Sequence, residues 1–396
     1  MPLPDGLMPG TDKKITANLK NISMERNKPA NLLPSIATLL LPLTLMAIFS
    51  FACTTREAGP EDRQFLVMAY YSGNEAAIDD YDVSRLTHII FSFCRLDGHR
   101  ISIRENRIPV LEKLVSLKEE NPGLKILVAL GGWGGCETCS EVFSLEEGRS
   151  DFALSVLEML EEFDADGIDL DWEYPGISGY PGHPYKPEDK RNFTLLVEKL
   201  REVLGNEYEI GFAAGGFPRF FDESAEWKKV MPVVDYVNVM TYDYRTGPET
   251  GHHTALYSSA GQRLSADFAV NYLDSIGVPR SQIVIGAAFY GRAWENVSPE
   301  RDGLFQTGGN MQTVGYRNLA AWMEENEIKE FWCDIASAPW GYSATKGLFI
   351  TYDNPRSVEL KTRYARDKGL AGIMFWQLGN DSASDGLLHV IYRATE

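Results

Sequence analysis

The stretch Asp166-Gly167-Ile168-Asp169-Leu170-Asp171-Trp172-Glu173-Tyr174-Pro175 places four carboxylates within eight residues. Its other members, Ile168, Leu170, Trp172 and Tyr174, are of the apolar and aromatic types that fill buried strands. Successive side chains of a strand point to opposite faces. Asp169, Asp171 and Glu173 therefore share one face, and Ile168, Leu170 and Trp172 the other. A row of carboxylates on an interior face is costly, because burial and like charge both disfavour ionisation. Carboxyls under that pressure are candidates for a catalytic acid. Asp166 has the opposite parity, which assigns it a structural role.

Outward from this stretch, short β-branched or aromatic runs recur at 65–71, 87–94, 125–130, 167–172, 209–214, 236–241, 282–288 and 371–376. Between the third and fourth, Phe152, Val156, Leu157, Leu160 and Phe163 repeat at three- and four-residue steps. Between the fourth and fifth, Phe193, Leu196, Val197, Leu200 and Leu204 do the same. Such spacing makes amphipathic helices that cover a sheet. Eight strands alternating with helices predict an α/β fold, the (β/α)8 TIM barrel. A doubly wound open sheet would carry a Gly-rich phosphate turn after its first strand, and Tyr71-Ser72-Gly73-Asn74 is not one. The 82 residues of 289–370 are too many for a plain loop. They contain a helical pattern at 319–323, a predicted strand pair at 330–334 and 347–353, and a helix over 355–368. We therefore expect the barrel over 65–295 and 351–396, and a small α+β insertion over 296–350, between strand 7 and the last helix, beside the C-terminal mouth.

The 396 residues are 44% hydrophobic, as in soluble globular chains, and their net charge of -18 argues against nucleic acid as partner. The apolar run 32–52, interrupted by Pro34 and Pro42, reads as an export signal, with Met24 a candidate start and 24–28 its charged leader. Ser50-Phe51-Ala52-Cys53 resembles a bacterial lipoprotein cleavage box. Residues 1–53 are thus expected to be a signal, 54–64 a tether, and the protein exported: extracellular, periplasmic, or held at the outer membrane through a lipidated Cys53. An uncleaved transmembrane anchor is the alternative. Loss of that segment, with five basic and three acidic residues, leaves -20. In an exported chain, Cys136-Glu137-Thr138-Cys139 reads as a local disulfide, since no second pair follows at metal-site spacing. Cys94 and Cys333 are expected to be buried thiols.

The carboxylate row ends at the catalytic end of the fourth strand, where Glu173 stands highest and is the natural proton donor. Asp171 lies next to it, and Asp169, deeper, would share a proton with Asp171. Hard cations also take several carboxylates, but the neighbouring strand ends offer aromatics instead of further ligands, so no metal is expected. Those aromatics are Tyr70, Tyr71, Phe91, Phe93, Trp133, Tyr242, Tyr244, Tyr290, Trp294 and Trp376. Each alone fits a barrel core. Gathered at one rim beside acids, they suit sugar rings. Asp243 adds an acid, with Arg292 its partner.

At this point the chain resembles glycoside hydrolase family 18, the chitinases. Residues 166–173 match its DxxDxDxE signature. Leu130-Gly131-Gly132-Trp133 is similar to its SxGG segment, Met240-Thr241-Tyr242-Asp243 to MxYD, Phe289-Tyr290-Gly291-Arg292 to FYGR, and Gly372-Ile373-Met374-Phe375-Trp376 to its eighth strand. The resemblance covers about residues 65–392. Ala129 departs from the expected Ser. The resemblance implies cofactor-free, substrate-assisted retaining hydrolysis next to N-acetylglucosamine. Glu173 would be the acid and then the base, Asp171 would orient the 2-acetamido group, and Asp169 would tune Asp171. Tyr242 would bond the acetamido oxygen. Trp376 would form the floor, with Met240, Asp243 and Arg292 shaping the pocket. Tyr70, Phe93, Trp133, Tyr290 and Trp294 complete the expected substrate contacts. The expected partner is a polysaccharide or oligosaccharide containing N-acetylglucosamine, acted on by a monomer. An endo-β-N-acetylglucosaminidase of glycoprotein glycans would use the same acid. A lectin-like, binding-only member would usually lack the donor that Glu173 retains.

Overall fold

The computed structural model describes residues 64–396. The export signal, the Met24 start, the lipid box at Cys53 and all but the last residue of the tether lie outside the described residues. In chain order the strands are β1 (Leu66–Tyr71), β2 (His88–Asp97), β3 (Arg100–Ser102), β4 (Lys125–Gly131), β5 (Gly167–Asp171), β6 (Glu209–Gly215) and β7 (Tyr236–Met240). They continue with β8 (Ile283–Ala288), β9 (Tyr290–Trp294), β10 (Met311–Gly315), β11 (Lys329–Cys333), β12 (Ala338–Ser343), β13 (Leu348–Thr351) and β14 (Gly372–Trp376).

Strands β1, β2, β4, β5, β6, β7, β8 and β14 pair in parallel, each with the next, and β1 bonds both β14 and β2, which closes the ring. This is the expected (β/α)8 barrel. The helix Glu146–Phe163 buries Phe152, Val156, Met159 and Leu160 against it, and Asp189–Leu204 buries Phe193, Leu196, Val197, Leu200 and Leu204. The first of these ends at Asp164 in a left-handed conformation (φ 56°), which turns the chain toward β5.

Parity does in β5 what the sequence predicts. Ile168, Leu170 and Trp172 join the large cluster between strands and helices. Ala129 and Tyr70 belong instead to a small inner cluster with Met68, Ile90, Leu127, Tyr236, Val284 and Met374, which fills the barrel below its mouth. In β2 a register shift between Phe91 and Cys94 breaks the alternation. Phe91 packs outside the barrel, whereas Phe93 packs against the inner cluster.

The connection after β8 forms an antiparallel sheet ordered β10-β9-β13-β12-β11, with the helix Tyr316–Glu325 against one face. That sheet begins at Tyr290, ahead of the 296 boundary. The predicted pairing of 330–334 with 347–353 is not made, because β12 stands between β11 and β13. Pro339 and Gly341 within β12 hid it, since both are poor strand residues. A fully buried ion pair, Lys361 Nζ to Asp353 Oδ2 at 2.6 Å, joins the helix Pro355–Asp367 to the end of this sheet. Asp353 also accepts from the Ala288 amide at the end of β8 (3.0 Å). Among the described residues no helix is long and apolar enough to cross a membrane.

Candidate active site

Asp169 and Asp171 lie on the inner side of β5, and Glu173 follows two residues beyond its end. Asp169 is wholly buried, and both its oxygens are occupied. Tyr70 donates its hydroxyl to Oδ2 at 2.8 Å, and Asn238 donates Nδ2 to Oδ1 at 3.0 Å. Among the described residues no hydrogen bond joins Asp169 to Asp171, the expected partner for its proton. Burial pushes the Asp169 pKa up to about 6, against the pull of those donors. Ala129, paired with Asp169 across β4 and β5, has no hydroxyl to offer.

Asp171 is 5% exposed, and its Oδ1 has no hydrogen-bond partner among the described residues. Burial, then the neighbouring charges of Glu173 and Asp169, drive its pKa well above the carboxylate range. Burial also pushes Glu173 up to about 7. Asp243 adds to this, and the Tyr174 hydroxyl opposes it. Asp243 behaves oppositely. Burial alone would raise its pKa, but His253 and Arg292 outweigh burial and hold it well below the usual carboxylate range. Arg292 grips it with two bonds, Nε to Oδ1 at 2.8 Å and Nη2 to Oδ2 at 2.6 Å, and His253 Nδ1 lies 3.5 Å from Oδ1. The mouth thus contains carboxyls whose pKa values are raised beside one whose pKa is lowered, the pattern that separates acid from anion.

The apolar side of the mouth is built on Trp376. It stacks on Phe93 (5.5 Å between centroids, 16° between planes) and tilts against Tyr70 at 6.0 Å. Met240 and Tyr242 pack on the same inner cluster. The Tyr242 ring meets Tyr290 edge-on at 6.1 Å. Opposite it, Gly286 leaves room that a side chain would fill, since a Cβ there would stand 2.7 Å from the ring. Gly131 (φ 110°) serves a similar end, for a Cβ on it would come within 2.3 Å of the Asp171 carbonyl. The next residues carry Trp133 out to solvent, 58% exposed.

Three expected contacts are corrected. Trp294 is 0% exposed, packed with Val297, Tyr342 and Phe349 in the insertion's core, its Nε1 donating to the Gly247 carbonyl. It does not reach the mouth, because the chain has already left the barrel for β9. Tyr70 lies one layer below the surface, its hydroxyl committed to Asp169. Tyr290 is buried too, its ring 5.0 Å from the Arg292 guanidinium. Cys136 and Cys139 are disulfide-bonded with Cα atoms 5.3 Å apart. Cys94 is a buried thiol, whereas Cys333, at the end of the edge strand β11, is only half-buried. Asp166 closes the lower end of β5, accepting from the Ile126 amide at 2.7 Å. The sequence reading missed Asn238, which inward parity with Met240 and Tyr242 would have revealed. It also missed Gly286 and His253. For a metal, the candidate grouping among the described residues is His99, Glu147 and Asp151, which includes none of the carboxylate row.

Carboxyls with divided pKa values beside an aromatic floor, at the catalytic end of a (β/α)8 barrel, place the protein among the glycoside hydrolases. The chain belongs to the glycosyl hydrolases family 18, whose model matches residues 66–381. It is 35% identical over 299 residues to chitinase A1 of Niallia circulans, covering 68% of this chain but only 42% of that relative. It is 30% identical over 329 residues to chitotriosidase-1 of Mus musculus, covering 76% and 68% of the two chains. Among solved structures, a family 18 N-acetylglucosaminidase from Paenibacillus barengoltzii is 36% identical with a TM-score of 0.77, over 84% of this chain and 100% of that one. A chitinase from Bacillus thuringiensis is 28% identical with a TM-score of 0.79, over 84% and 70%.

Proposed function

We propose that the protein hydrolyses β-1,4 N-acetylglucosaminide bonds in chitin or chito-oligosaccharides, with retention and with the substrate's own 2-acetamido group as nucleophile. The observation that carries this reading is the open Oδ1 of Asp171, a buried polar atom without a partner, close to Glu173, whose pKa burial raises to about 7. A buried polar atom without a partner is costly unless a ligand satisfies it. The acetamido N–H is a donor of the right kind, and holding it turns the carbonyl oxygen toward the anomeric carbon. Glu173 gives its proton to the glycosidic oxygen as that bond breaks, and the acetamido oxygen bonds to the anomeric carbon, forming an oxazolinium ion. The Tyr242 hydroxyl donates to the acetamido oxygen. Glu173, now a carboxylate, takes a proton from the water that attacks the anomeric carbon and reopens the ring. Asp243 is a poor candidate for a competing nucleophile, since Arg292 occupies both its oxygens. The names of the Niallia relative, chitinase A1, and of the mouse relative, chitotriosidase-1, agree with this substrate class.

The Glu173→Gln variant should lose most hydrolysis of a chromogenic chito-oligosaccharide while still binding it, and a thiazoline mimic of the oxazolinium ion should inhibit the wild type. Near-wild-type turnover by the variant would sink the assignment. The likeness to the Paenibacillus N-acetylglucosaminidase favours a second reading, in which this chain releases single terminal N-acetylglucosamine units. Product sizes from chitohexaose separate the two.

A further inference from the structure

Eight large apolar side chains are exposed among the described residues, and three of them, Trp133, Tyr180 and Tyr185, stand on the two loops that follow β4 and β5. Tyr180 meets Trp133 edge-to-face at 5.6 Å, and the His183 ring lies 4.7 Å from Tyr180. The arrangement is braced. A Cβ on Gly134 would come to 3.0 Å from the Tyr180 ring, and one on Gly179 to 2.0 Å from the Glu173 carbonyl. The loop bearing Tyr180 thus packs back on the backbone of Glu173 itself. An exposed aromatic group continuous with a cleft marks a contact surface.

We propose that Tyr180, with His183 beside it, extends the cleft on the leaving-group side, walling the N-acetylglucosamine unit that lies on Trp133 and so favouring substrates long enough to reach it. This rests on the carbohydrate-cleaving reading above. In the ring order β4, β5, β6, β7, Glu173 follows β5, and Tyr242 and Asp243 follow β7. With the acetamido group turned toward Tyr242, the sugar across the scissile oxygen lies toward β4 and Trp133. Two rings edge-to-face offer one flat surface to the C–H face of a sugar and one side wall. An uncharged polysaccharide meets no repulsion from the net charge of -18.

The test compares kcat/KM for chitohexaose with that for an aryl chitobioside, whose leaving group carries no sugar. In Tyr180→Ala the hexaose value should fall about threefold to tenfold further than the aryl value, the loss of one ring contact. Tyr180→Phe should restore the wild-type ratio. Equal losses on both substrates would make Tyr180 a packing residue and overturn the proposal, as would no loss on either. A wild type that cleaves neither substrate would overturn the carbohydrate reading itself, and this inference with it.

Discussion

Replacing Gly286 with Ala tests whether the position of the Tyr242 ring governs turnover. Gly286 lies on the inner face of β8, in register with Met374 of β14. A Cβ there would stand 2.7 Å from Tyr242 Cε1 and 2.9 Å from Met374 Cε. The thioether end can swing aside. The Tyr242 ring has less freedom, because Tyr290 flanks it and the preceding Thr241 is tied to Gly286 by two hydrogen bonds, at 2.6 and 2.9 Å. Moving from 2.7 Å to the 3.4 Å of ordinary contact requires a shift of about 0.7 Å. Overpacking of this kind costs about 1–3 kcal/mol, and Met374 can relieve part of it, so we expect the lower half of that range. Displacing a positioning group by about 1 Å can cost about a hundredfold in rate. We therefore expect kcat/KM on a chromogenic chito-oligosaccharide to fall about tenfold to a hundredfold, with an unfolding midpoint only a few degrees lower. Gly123→Ala, whose Cβ would meet only Asn121 Oδ1 at 3.8 Å, is the control. A Gly286→Ala enzyme with the control's kcat/KM would refute the reasoning.

Two further outcomes follow from charges held out of water. Glu173 must carry its proton to donate it, and burial sets its pKa near neutrality, at about 7. A raised carboxyl pKa keeps the acid form below that value and loses it above, so kcat/KM should decline as pH rises through about 7, tenfold per unit well above it. A profile flat to about pH 9 would contradict the assignment. Lys361→Met would leave Asp353 buried without its cation, both side chains being 0% exposed. Breaking such a pair from one side costs about 3–5 kcal/mol. The urea midpoint should drop accordingly, and an unchanged midpoint would show that the Thr254, Ser357 and Ala288 donors suffice.

The sequence exposes what depends on local period and hides what depends on where the chain changes course. The carboxylate row was legible because alternation within β5 is uninterrupted, and the barrel because the helical faces repeat at regular steps. The side of the strand taken by Phe93 was not, since one irregularity in β2 inverts the parity that Phe91 would have shared with it. Trp294 reads like a rim aromatic only if β8 ends the barrel layer at its tip, whereas the chain turns at once into β9 and buries it. Asn238 bonds Asp169 across β6, a relation between strands that are not neighbours and that arises only once the barrel closes.

Charge state shows the same division most sharply. In the sequence Asp171 and Asp243 are each an acid at the end of a strand, and the expected partner of Asp243, Arg292, is the one the structure gives it. The difference is supplied from elsewhere in the chain. Asp243 adopts a left-handed backbone (φ 56°) and meets Arg292, which comes from the first strand of the insertion. The insertion therefore contributes a charged group to the mouth. Its guanidinium keeps Asp243 ionised, and that fixed anion is among the influences that raise the pKa of Glu173. The countercharge lies 119 residues beyond the acid it indirectly affects. On the proposed mechanism, the pKa of Glu173 thus depends in part on Asp243, whose own charge is set by a residue outside the barrel's ring of strands.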